Sequence, residues 1–79
     1  MEIRLRLFAL YREVAGRSEV ELEVQQGETI SSLMERLQRD FPALPTTRLV
    51  VAVNAEFVEP GYQLREGDEV ALLPPMSGG

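Results

Sequence analysis

The sequence predicts an α+β roll, a mixed sheet of about five strands with one main helix across one face, and three observations carry that expectation. Apolar and charged residues alternate over "EIRLRL" and again over "EVELEV", the period of half-buried strands. From Thr29 the period becomes helical, with Ile30, Leu33, Met34, Leu37 and Phe41 falling on one stripe. After the stripe, "VVAV" and "EVALL" return to the β-branched and aliphatic chemistry of strands.

Each element follows in order. In the first strand Ile3, Leu5 and Leu7 share one face, and Glu2, Arg4 and Arg6 share the other. In the second, Val20, Leu22 and Val24 point inward and Glu19, Glu21 and Glu23 outward. Antiparallel pairing of the two would set outward Arg against outward Glu, a gain of about 0.2 to 1 kcal/mol per well-placed pair. The intervening "ALYREVAG" is too long for a tight hairpin and reads as a short helical turn ending at Gly16. Thr29 is the expected cap of the main helix, and Pro42 marks its stop. "RLVVAVN", residues 48–54, reads as a well-buried strand that turns through Asn54 and Ala55 into a short strand at Phe57 and Val58. Glu59-Pro60-Gly61 is loop chemistry, and Gly67 supplies a turn into a last strand at 69–73, with Val70 and Leu72 inward.

Composition narrows the function. Seventy-nine residues make one domain that buries only about 60% of its unfolded surface. The chain has no 18-residue apolar run and no charged stretch leading into an apolar one, so a soluble, cytoplasmic protein with no membrane partner is expected. Its formal charge is −5, from 13 acidic and 8 basic residues, and every basic residue is Arg. Such a chain lacks the basic footprint of a nucleic-acid binder and suits a basic partner surface. It contains neither His nor Cys, which excludes Ser-His and Cys-His hydrolases, dithiol redox chemistry and the usual zinc sites. Glu66, Asp68 and Glu69 cluster in one turn, where solvated charge is the expectation rather than acid–base work. The glycines show no phosphate-cradling spacing, and Ser31, Ser32, Thr46 and Thr47 have no base to activate them.

What remains is the terminus. The division expected is a folded domain over residues 1–73 and a flexible tail over 74–79, "PPMSGG". Pro74 and Pro75 stiffen the exit, and six near-extended residues reach on the order of 20 Å. Gly78 and Gly79 lack Cβ atoms and pass where any other residue would clash. The carboxylate of Gly79 is a poor electrophile until transfer to ATP makes it an acyl-adenylate. A chain without Lys offers no side-chain amine for such an activated carbonyl to acylate.

"GDEVALLPPMSGG", Gly67 to Gly79, resembles the end of the small, sulfur-carrying subunits of molybdopterin synthase, which close on GDEV, two apolar residues, PP, one variable residue, Ser or Thr, and GG. "RLRLFALYREVAG", Arg4 to Gly16, is similar to that family's first strand and following turn, and "VAVN", Val51 to Asn54, to its third strand. Leu72 and Leu73 stand where some members carry aromatics, and Met76 where Val is common. The resemblance implies a ubiquitin-like β-grasp fold and a non-catalytic carrier. An E1-like enzyme would adenylate Gly79 with ATP, a sulfur donor would convert it to a thiocarboxylate, and the large synthase subunit would accept the tail. The sulfur would then pass to cyclic pyranopterin monophosphate. On this resemblance Gly79 is the reactive residue, Gly78 and Ser77 lie in the threaded segment, and Phe8, Leu73, Pro75 and Met76 belong to the partner contact.

Three other readings share the sequence features. A sibling carrier for thiazole synthesis, tRNA thiolation or a tungsten cofactor would use the same terminal chemistry, although thiazole carriers tend to be shorter. A ubiquitin-like modifier would join Gly79 to target lysines. A purely structural module would use its surface and not its tail.

Overall fold

A computed structural model describes residues 1–44 and 50–74, with Leu10 described by its backbone alone. The elements are β1 (Glu2–Leu7), α1 (Ala9–Ala15), β2 (Glu19–Glu23), α2 (Ile30–Asp40), β3 (Val50–Val53), β4 (Glu56–Phe57) and β5 (Glu69–Leu73). They form one sheet in the order β2-β1-β5-β3-β4, in which β1 and β5 run parallel and every other pairing is antiparallel. A mixed five-stranded sheet with α2 against one face is the β-grasp arrangement that the sequence led us to expect. The expected tail lies outside the described residues apart from Pro74, as does the start of the third expected strand at Arg48 and Leu49.

Alternation in β1 is complete, with Ile3, Leu5 and Leu7 buried and Glu2, Arg4 and Arg6 exposed. Antiparallel register sets Arg4 opposite Glu21 and Arg6 opposite Glu19. The ion pair that forms is diagonal, Arg4 Nε to Glu19 Oε1 at 2.8 Å, while Arg6 reaches across to Glu69 of β5 at 3.5 Å. Both pairs are about half exposed, so each contributes at most about 1 kcal/mol. The segment read as a short helical turn is a seven-residue helix, closed by Gly16 in the left-handed region with its N–H on the Arg12 carbonyl. Its Tyr11 reaches the core, which is why a second turn forms there.

Thr29 caps α2 as expected, and Ser32 completes a reciprocal box: each backbone N–H is taken by the other residue's hydroxyl, at 3.2 and 3.1 Å. The next two helical donors, Ile30 and Ser31, bond to the carbonyls of Tyr62 and Pro60, which fastens the 59–65 loop to the helix start. Ile30, Leu33 and Leu37 are buried against Ile3, Leu5, Val70 and Leu72. The helix stops at Asp40, so Phe41 lies past its end as the C-cap and still packs on the core.

Asn54 and Ala55 both have positive φ, 52° and 72°, as a two-residue hairpin turn of mirror type requires. The turn fixes the register Val53 to Glu56 and Ala52 to Phe57. It thereby starts β4 one residue earlier than the expected Phe57 and Val58, and leaves Phe57 71% exposed.

The acidic turn departs from expectation. Glu66 and Glu69 are not buried, but Asp68 is only 5% exposed. Its carboxylate accepts from Asn54 Nδ2 at 3.0 Å, from the Tyr62 hydroxyl at 3.2 Å and from the Arg65 N–H at 2.9 Å. A buried carboxylate is tolerated where donors converge on it, and this one ties the β3–β4 turn to the approach of β5. Asn54 returns the link by accepting from the Glu69 N–H at 3.0 Å.

Two predictions follow from these positions. Ala55→Gly removes a left-handed alanine that costs roughly 1 kcal/mol, and should raise the melting temperature by about 4 to 8 °C; an unchanged or lower value would show the turn is unstrained. Burial first, and the charge and hydrogen bond of Asp68 second, push the Tyr62 phenol above its ordinary value; burial alone does the same to Tyr11. The unfolded phenols therefore ionise first. Their contribution to stability is whole below about pH 10 and lost as pH rises through the higher folded values. Tyr62→Phe should flatten that alkaline loss in urea unfolding, and identical pH slopes in the two proteins would refute the coupling.

Candidate functional site

The sequence directs attention to the place where the chain leaves the sheet. β5 lies between two strands, in register Leu7 to Leu72 on one side and Val50 to Leu73 on the other. Because Val70 and Leu72 are fully buried under the covered face, strand alternation turns Glu69, Ala71 and Leu73 to the open one. The chain then passes to Pro74, which is exposed. Its exit is therefore fixed by the most deeply held strand of the molecule.

Phe8 stands at the same end. Leu7 points into the core, so the extended residue after it, at φ −125° and ψ 156°, presents its ring to the open face. The turn that follows is sharp, with Ala9 at φ 52°, and the Phe8 carbonyl accepts from the Tyr11 N–H at 3.0 Å. The Arg6 guanidinium lies 5.5 Å from the ring centroid and 3.5 Å from Glu69, which holds an aromatic that is 37% exposed beside the exit.

Of the site residues expected from sequence, the structure thus brings Phe8 and Leu73 to one end of one face. Pro75, Met76, Ser77, Gly78 and Gly79 lie outside the described residues. The structure adds residues that sequence reading did not select. Val50 and Ala52 pair with Leu73 and Ala71, and Phe57 pairs with Ala52, so an apolar strip runs across the open face from the exit to the far edge, half-buried at Val50, Ala71 and Leu73, buried at Ala52 and exposed at Phe57. The signal for it was the two-residue turn at Asn54 and Ala55, which sets Phe57 on the same face as Ala52. The other half of that face, on β1 and β2, carries Arg4, Arg6, Glu19 and Glu21.

Chemistry is otherwise sparse. Among the described residues no group of three or more His, Cys, Asp or Glu is placed to hold a metal ion. Ser32 is occupied by the helix cap, and among the described residues no helix is long and apolar enough to cross a membrane. The arrangement presents the exit of the chain from β5, at Leu73 and Pro74, beside an apolar strip.

The ThiS family pattern matches residues 5–79. The chain is 40% identical to the molybdopterin synthase sulfur carrier subunit of Chlamydomonas reinhardtii over 83 aligned positions, with 100% of each covered. To the protein of the same name from Arabidopsis thaliana it is 35% identical, with 100% of this chain and 84% of the relative covered. Among solved structures, SAMP1 from Haloferax volcanii superposes with a TM-score of 0.83 at 31% identity, over 100% of both chains. With its ubiquitin-like β-grasp sheet and a match running from Leu5 in the first strand to Gly79, the chain belongs to the ThiS family.

Proposed function

We propose that this protein is the sulfur carrier subunit of molybdopterin synthase, bearing sulfur as a thiocarboxylate on Gly79 and donating it to cyclic pyranopterin monophosphate. The full-length likeness to relatives that bear that subunit's name carries the reading. In this reading residues 1–73 are the presenting body and residues 74–79 the working arm, and what supports it is the buried strand β5, which holds the point of exit at Leu73.

The chemistry runs on partner enzymes. On an E1-like adenylating enzyme a Gly79 carboxylate oxygen attacks the α-phosphorus of ATP, and pyrophosphate leaves. A sulfide-equivalent nucleophile then adds at the acyl carbon and AMP leaves, which gives the thiocarboxylate. In the large synthase subunit that sulfur passes to the pterin precursor, and water restores the carboxylate. This chain has no Cys, so the carbonyl is where it can hold transferable sulfur, and no Lys, so its side chains offer the activated carbonyl no amine. The carrier itself is non-catalytic. The apolar strip from Phe8 and Leu73 to Phe57 serves as its landing surface on the large subunit.

A second reading, a protein modifier joined through Gly79 to target lysines, draws on the likeness to SAMP1, whose name stands for small archaeal modifier protein 1. Adducts in cell extract that vanish on removal of Gly78 and Gly79 would favour it.

Intact-mass measurement after incubation with ATP, the cognate activating enzyme and a sulfide source tests the proposal. Replacement of one oxygen by sulfur, about 16 Da heavier and mapped to the last residue, is expected. A chain trimmed of Gly78 and Gly79 that still sustains molybdopterin synthesis would overturn it. For the landing surface, Phe8→Ala and Phe57→Ala should each weaken binding to the large subunit by about tenfold while the melting temperature stays near its original value. Undiminished binding by the double variant would remove the strip from the interface.

A further inference from the structure

The described sheet has two edges, and β2 is one of them. Its ladder to β1 shows which backbone groups remain outward. The Met1 amine donates to the Val24 carbonyl at 2.9 Å and the Val24 N–H donates to the Met1 carbonyl at 2.8 Å, while Leu7 donates to the Ser18 carbonyl. Antiparallel pairs alternate between residues that exchange both bonds and residues that exchange none. Val20 and Leu22 therefore direct their backbone to β1, and Glu19, Glu21 and Glu23 turn theirs to the edge. The Glu23 carbonyl confirms it, because it accepts from Arg36 Nη1 at 2.6 Å. That outward group already holds a guanidinium, and it caps the open stretch at one end. The N–H and C=O of Glu19 and Glu21 form the rest of the edge.

Beside this edge is a mainly apolar cavity of about 140 Å³, walled by Val20 and Leu22 of β2, by Leu5, and by Leu37, Phe41 and Leu44 near the end of α2, with the exposed Asp40 as its one charged lining residue. Leu5, Leu37 and Leu44 are buried, whereas Val20, Leu22 and Phe41 are half-buried, so the cavity opens toward β2. Its apolar walls favour an apolar side chain over the water that otherwise fills an open cavity. On the opposite face of the same strand stand Glu19, Glu21 and Glu23.

We propose that the β2 edge and this cavity form a second docking site, which takes a short extended segment of a partner protein with Arg or Lys alternating with aliphatic residues. The segment adds to the sheet as a sixth strand beside Glu19–Glu23. Its backbone bonds Glu19 and Glu21, its aliphatic side chains follow Val20 and Leu22 over the cavity, and its cations face the glutamates. Charge selects this occupant over a second copy of the chain, since β2 against β2 would set glutamates against glutamates, with Glu21 in no ion pair among the described residues while Glu19 faces Arg4 and Glu23 the Met1 amine. The site stands apart from the carrier reading and does not use the C-terminal residues.

The test is titration of the full chain into a fluorescein-labelled peptide, Arg-Val-Arg-Leu-Arg, against its scrambled form, Arg-Arg-Arg-Val-Leu. We expect the alternating peptide to bind at least about tenfold more tightly than the scrambled one, and amide shifts to centre on Glu19–Glu23 and Phe41. Glu21→Pro removes an outward N–H that β1 does not use, and should abolish binding with the thermal melt retained. Glu21→Lys, which asks nothing of the backbone, should weaken binding by about tenfold and reduce its salt dependence. Equal affinity for the two peptides, no binding of either, or shifts centred on Phe8 and Leu73 would each overturn the proposal. So would concentration-dependent dimerisation of the free chain that Glu21→Pro removes, which would assign the edge to a second copy.

Discussion

The last strand must be threaded between two strands made earlier, and the remaining architecture depends on that pairing. β5 joins β1 in parallel and β3 antiparallel, so the sheet is two separate ribbons until residues 69–73 arrive. Val70 and Leu72 are fully buried, each worth about 1.5 to 3 kcal/mol of transfer free energy, and they supply the floor on which α2 rests. Contacts between residues 4–7 and 69–72 join strands from opposite ends of the described sequence, so they are strongly non-local. The same pairing that completes the core sets the direction of Pro74 and the nearness of Leu73 to Phe8. An exit anchored this way opens only when the core opens, so a partner meets it in one orientation.

The two faces of the sheet divide the work. The covered face carries the hydrophobic free energy. The open face holds ion pairs of little net value, Arg4 with Glu19 and Arg6 with Glu69, and these matter more for what they exclude than for what they stabilise. A charged half on β1 and β2 discourages nonspecific apolar contact there, which leaves β5, β3 and β4 as the apolar half. Arg6 sits at the boundary and touches both, with Phe8 on one side and Glu69 on the other.

Elements governed by local period were legible in the sequence, and elements governed by distant partners were not. Alternation gave β1 and β2 and the helical stripe gave α2, because burial on one face is the same constraint in every context. The parallel pairing of β1 with β5 left no local mark. Asp68 carries no local mark of burial, since an acidic turn before a strand is ordinarily solvated; its burial comes from Asn54 and Tyr62, fourteen and six residues away. The start of β4 was misjudged by one residue because the positive-φ pair Asn54 and Ala55, not hydropathy, sets that register. Among the candidate site residues, Phe8 and Leu73 were legible as a matched motif, whereas Phe57 became visible only when register placed it across from Ala52.

The absence of His and Cys restricts the kinds of site this chain can offer to surfaces, edges and termini, and the sheet topology keeps these apart. The exit and apolar strip occupy β5, β3 and β4, while the acidic edge is β2, with β1 between them. A ligand at one need not displace a ligand at the other. Both are nevertheless joined through β1, since Leu5 walls the cavity at β2 while Leu7 pairs with Leu72 at the exit. An added strand on β2 would therefore tighten the ladder that positions the exit without touching it.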